Sequence, residues 1–68
     1  MNLNPKYLIK ILELNGFVFL RAKGSHRLYH NAVTGITVIV PVHGGKDMKK
    51  GTFLAILKQA NIDKKKWM

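Results

Sequence analysis

Tyr7, Leu8, Ile11, Leu12 and Leu14 recur at helical spacing, whereas Lys6, Lys10 and Glu13 fall at i, i+4 and i+7 on the other side. Asn4 before Pro5 has the form of an N-cap with proline at the first helical position, and Gly16 after Asn15 has the form of a stop. The pattern predicts an amphipathic surface helix of about three turns. The period then changes. Phe17 to Leu20 are all β-favouring, and Arg21 and Lys23 lead into Gly24, which suits a turn or a close backbone approach. His26 to His30 reads as a second strand, Asn31 to Gly35 as a turn, and Ile36 to Val40 as a strongly β-branched third strand, with Pro41 marking its end or an edge.

Val42 to Lys49 reads as a polar loop with two adjacent glycines, in which Asp47 is placed to cap a turn leading into the next element. Phe53, Ile56, Leu57 and Ala60 then fall at i, i+3, i+4 and i+7, predicting a second helix from Lys50 to Ala60. Asp63 is placed to cap a last turn carrying Lys64, Lys65, Lys66 and Trp67. The order α-β-β-β-α implies an α+β fold, with a three-stranded antiparallel sheet covered by both helices on one face and open on the other.

Sixty-eight residues allow one domain spanning the chain, and an apolar share of 47% is that of a folded protein rather than a basic disordered tail. With no cysteine there is neither a disulfide framework nor a thiolate metal site, so the expected compartment is the reducing cytoplasm. Ile36 to Val42, the longest nearly uninterrupted apolar run, is far short of the roughly 20 residues of a membrane helix. Lys10 and Glu13 break any signal-peptide pattern, and no membrane partner is expected. Twelve lysines and arginines face only Glu13, Asp47 and Asp63, for a formal net charge of +9. Most cations therefore lack an acidic partner within the chain, and a phosphate backbone is their commonest complement.

Three blocks carry a more specific signal. Gly24-Ser25-His26, then Pro41-Val42-His43-Gly44-Gly45, then Lys49-Lys50-Gly51-Thr52 ahead of Ile56-Leu57-Lys58-Gln59-Ala60 resemble the HicA family over about the whole chain. The family often has glycine at the position of Asn61, but asparagine tolerates the same left-handed helix cap. The resemblance implies the toxin half of a type II toxin–antitoxin pair: a small ribonuclease that cuts messenger RNA, held inactive by an acidic HicB-type antitoxin. It also implies a fold like that of double-stranded RNA-binding domains, and His26 as the family's essential histidine.

The residues support that role chemically. RNA cleaves itself when its 2′-hydroxyl attacks the adjacent phosphorus, so a nuclease without metal or cofactor needs a base for that proton and cations for the charged phosphorane. Histidine, with a reference pKa of about 6.5, serves as such a base near neutrality. Lys23 and Arg27 flank His26 as candidate phosphate ligands, arginine with bidentate geometry. Ser25 either orients the imidazole or donates to a phosphate, or serves only turn geometry. His43 is either a second proton-transfer group or loop structure. His30 shares a strand face with His26 at a spacing of about 13 Å, too far for one metal ion. Lys46, Lys49 and Lys50 cluster at the start of the second helix, where cations gain nothing from the helix dipole, and their place is explained by RNA phosphate contacts or by simple solvation. Trp67 either stacks on a base or closes the core. The alternative overall is a non-catalytic module of the same fold that grips structured RNA; a structural nucleoid or ribosomal protein fits the charge but leaves the histidine blocks unexplained.

Overall fold

The computed structural model describes residues 1–63, Lys65 and Trp67. Its elements are α1 (Pro5–Leu14), β1 (Val18–Lys23), β2 (His26–His30), β3 (Thr37–Pro41) and α2 (Lys50–Gln59), in the expected α-β-β-β-α order. The strands form one antiparallel meander in the order β1-β2-β3.

The ends of α1 are set locally. The Asn4 side chain accepts a hydrogen bond from the Lys6 N–H at 2.9 Å, with Pro5 following as the first helical residue. At the other end the Gly16 N–H donates to the Glu13 carbonyl at 3.2 Å and the Phe17 N–H to the Leu12 carbonyl at 3.0 Å, a Schellman closure. The same closure ends α2, where the Asn61 N–H donates to Lys58 and the Ile62 N–H to Leu57, with Asn61 at φ +59°. In each case the residue after the left-handed cap, Phe17 or Ile62, turns back into the core and is buried.

That closure corrects the first strand. Phe17 belongs to the helix cap, so β1 starts at Val18 and continues through Arg21 and Lys23 to the turn. The third strand is likewise shifted by one residue, to Thr37–Pro41. Asp47 does not cap α2: the N-cap is Lys49, which makes no side-chain capping bond. The loop before α2 is also less polar than its composition implied. Met48 is buried, and its N–H donates to the Leu3 carbonyl at 2.8 Å, tying the N-terminal segment to the entry of α2.

Both helices pack over β3, and the core beneath them is built on Leu8, Leu12, Phe53, Val38 and Val40. Leu14, expected on the buried face of α1, is 77% exposed, because it falls on the flank of the helix, off the stripe formed by Leu8, Ile11 and Leu12. Trp67 closes the core: its ring meets Phe53 edge-on at 5.8 Å, and its carbonyl accepts from the Tyr7 hydroxyl at 3.3 Å. Asp63 accepts from the Lys65 N–H at 3.4 Å, as expected of a last-turn cap; Lys64 and Lys66 lie outside the described residues. Every residue of β1 is exposed, since the helices pack over β3 at the other edge of the sheet.

Candidate active site

Strand pairing divides the sheet into two faces. Arg27 and Tyr29 of β2 lie opposite Val40 and Val38 of β3 on the helix side, where Tyr29, Val38 and Val40 are buried. His26, Leu28 and His30 face the other way, opposite Pro41, Ile39 and Thr37. The open face therefore carries His26, as the alternation of β2 predicts.

His26 closes a two-residue hairpin. Lys23 and His26 are directly paired, and Gly24-Ser25 turns between them with Gly24 at φ +59°. Positive φ at the first central residue is the type II′ geometry, which matches the twist of paired strands and selects glycine there. No atom lies within 4 Å of a Cβ built on Gly24, so backbone conformation rather than crowding explains the glycine.

A bulge in β1 decides what stands opposite the histidine. Val18 pairs with His30 and Phe19 with Tyr29, but the register shifts between Phe19 and Arg21, so that Arg21 pairs with Leu28, Ala22 with Arg27 and Lys23 with His26. Had the same chain continued in regular register from Phe19 and Tyr29, Ala22 would have stood opposite His26. Because side chains alternate with period two, the shift moves both Arg21 and Lys23 to the open face and Ala22 away from it. A cation thus stands beside the imidazole through an irregularity that no local pattern announces.

The structure separates Arg27 from this pair. Its side chain projects to the helix side, where the guanidinium lies over the Phe19 ring at 5.9 Å from the centroid. Lys23 and His26 are brought together; Arg27 stands on the opposite face, although adjacent in sequence. His30, at the far end of β2, has its Nδ1 2.8 Å from the Thr37 hydroxyl, its cross-strand partner. Ser25 is half-buried, and its carbonyl accepts from the Val42 N–H at 2.7 Å, which carries the β2–β3 ladder beyond β3.

Beyond that bond the chain turns at Gly44-Gly45, closed by the Lys46 N–H donating to the His43 carbonyl at 3.1 Å. An open cleft of about 510 Å³ lies here, lined by Pro41, His43, Lys46, Asp47, Lys49 and Thr52. Pro41 is the cross-strand partner of His26, so the cleft begins one strand away from the imidazole. Lys46 and Lys49 reach it, with Asp47 the one acid among them; Lys50 is exposed on the first turn of α2 but does not line it. No group of three or more metal-ligating side chains occurs among the described residues. No helix among them is long and apolar enough to cross a membrane.

Sequence reading missed one property of the open face. Val18 is 58%, Leu20 53% and Ile39 52% exposed, and with half-buried Leu28 they place an apolar area beside the basic one. The alternation of β3 contains the signal for Ile39, since Val38 and Val40 cannot both be buried unless Ile39 faces outward.

Comparison with known proteins places the chain in a family. No curated protein was found to match the chain. A model of the HicA toxins of bacterial toxin–antitoxin systems matches residues 5–62, from the first residue of α1 to the buried Ile62 that follows the α2 cap. The match includes the Lys23–His26 hairpin and the whole basic cleft, and the chain belongs to the HicA toxin family.

Proposed function

We propose that this toxin is an endoribonuclease that cleaves messenger RNA without a metal ion, with His26 as general base. The observation that carries the reading is the hairpin pairing, which sets exposed His26 directly opposite Lys23 on the uncovered face of the sheet. A phosphodiester lying across that pair has a base at its 2′-hydroxyl and a cation at its phosphate oxygens. His26 removes the 2′-hydroxyl proton, the O2′–P bond forms as the P–O5′ bond breaks, and the products are a 2′,3′-cyclic phosphate and a 5′-hydroxyl. Lys23 stabilises the negative charge that grows on the phosphorane. Lys46, Lys49 and Lys50 hold the strand beyond the cleavage site through its phosphates, whereas Arg27, on the other face of the sheet, takes no part in the cleavage step.

The family pairing with an antitoxin extends the reading. An acidic, HicB-type antitoxin lies over the open face, its acids on Lys23 and Arg21 and its apolar groups on Val18, Leu20 and Ile39. RNA backbone has little use for those exposed apolar side chains, whereas the centre of a protein interface is built from such groups.

The experiment is cleavage of a long RNA by purified protein in excess chelator. Cleavage persists, and His26→Ala slows it by about 10²–10⁴ while the mutant stays folded, because His26 is exposed. RNA carrying 2′-O-methyl groups resists. A folded His26→Ala protein that cuts at the wild-type rate refutes the assignment and leaves an RNA-binding module.

A further inference from the structure

The reaction above leaves one proton unassigned, the one the departing 5′-oxygen must gain, and we propose that His43 supplies it as the general acid. The inference rests on the endoribonuclease reading and adds a second catalytic residue to it.

The geometry comes from two short turns at the same end of the sheet. His26 follows the Gly24-Ser25 turn and is paired with Pro41. The Val42 N–H still donates to the Ser25 carbonyl at 2.7 Å, so the chain keeps its place beside β2 for one residue beyond the strand. His43 comes next, two residues past the partner of His26, and is held as the first residue of the Gly44-Gly45 turn by the bond from the Lys46 N–H at 3.1 Å. Two residues along a strand and one strand across put the Cα atoms of His26 and His43 roughly 8 Å apart. In-line displacement at phosphorus needs a base at O2′ and an acid at O5′, on opposite sides of one phosphate. An imidazole at the start of β2 and another on the segment that continues from β3, offset by two residues, offer that arrangement.

Chemistry narrows the choice to the same residue. His43 is exposed and lines the basic cleft together with Pro41, Lys46 and Lys49. The lysines suit phosphate oxygens as hydrogen-bond donors, whereas the imidazolium is the side-chain cation whose class is suited to giving up a proton near neutrality. His30, the remaining histidine of the chain, lies at the other end of β2 and is engaged with Thr37. The protons balance: His26 accepts one from the 2′-hydroxyl, the His43 imidazolium gives one to O5′ as the P–O5′ bond breaks, and solvent restores both rings before the next turnover.

A sulfur-for-oxygen substitution isolates this step. Two RNAs of identical sequence are compared, one natural and one with the scissile 5′-bridging oxygen replaced by sulfur. A thiolate, with a reference thiol pKa of about 8.5, departs without being protonated. The wild-type protein cleaves both; His43→Ala is slowed by about 10²–10⁴ on the natural RNA and cleaves the sulfur-containing one at close to the wild-type rate, whereas His26→Ala is slow on both. His43→Ala acting at full rate on the natural RNA overturns the proposal, and so does an equal loss on both RNAs, which assigns His43 to binding or loop structure. Wild-type protein that cleaves neither RNA refutes the endoribonuclease reading itself, and the proposal with it.

Discussion

Asn31 is the buried polar residue on which the β2–β3 connection depends, and its replacement by alanine gives the most quantitative test of the fold. Its Oδ1 accepts from the Val33 N–H at 2.9 Å and the Thr34 N–H at 3.2 Å, shaping the turn, while its Nδ2 donates to the Asn15 carbonyl at 3.0 Å, tying that turn to the end of α1. The side chain is 6% exposed and also packs under Gly16. Three such bonds at about 1 kcal/mol each suggest a loss near 3 kcal/mol in Asn31→Ala. Val33 and Thr34 are exposed, so water takes over their N–H groups and reduces the loss, whereas the half-buried Asn15 carbonyl is less easily rehydrated. The expected net is about 2 kcal/mol, which in a domain of this size lowers Tm by roughly 8–16 °C.

Thermal and urea denaturation followed by circular dichroism measure it, and two companion variants sharpen the attribution. Asn31→Asp keeps the acceptor for the turn but sets a carboxylate against the Asn15 carbonyl, and it is at least as destabilising as alanine. Gly16→Ala combines strain at φ +89° with a Cβ 3.1 Å from Nδ2. Alanine in place of Asn31 removes the crowding but not the strain, so the double variant loses less than the sum of the two single losses. A loss below about 0.5 kcal/mol in Asn31→Ala, the range of ordinary surface changes, refutes the claim that these bonds hold the turn to the helix.

Lys23→Gln removes the ammonium from the residue paired with His26; RNA cleavage falls at least tenfold in a protein of native circular dichroism, and undiminished cleavage shows that the Lys23 pairing is dispensable. Replacing Lys46, Lys49 and Lys50 with glutamine weakens RNA binding for every sequence and lowers the slope of log affinity against log salt by about 0.7 for each phosphate left without its lysine, so an unchanged slope assigns these lysines to solvent. Ile39→Glu places an acid at the apolar centre of the open face: co-expressed HicB-type antitoxin loses at least tenfold in affinity measured by titration calorimetry, and unchanged affinity moves the antitoxin to another surface. RNA and antitoxin exclude each other on the His26→Ala protein in the same titration, and a stable ternary complex argues against occlusion.

What the sequence determined by itself was local. The Asn4-Pro5 start of α1, the Gly16 and Asn61 stops, the Gly24 turn and the alternation of β2 each depend on a few neighbouring residues, so the element order and the outward face of His26 were legible from the chain alone. The basic character of the surface was equally plain, since three acids cannot neutralise twelve cations. Pairing between separated segments decided the rest. Nothing in Val18-Phe19-Leu20-Arg21 announces a bulge, yet the bulge puts Lys23 rather than Ala22 opposite the histidine. Met48 reads as part of a polar loop because its partner, the Leu3 carbonyl, is distant in sequence, and the place of His43 one strand from His26 follows from a single bond between Val42 and Ser25. Helix periods and turn residues are properties of neighbours along the chain. Register is a property of two strands together, and the candidate site is assembled by register.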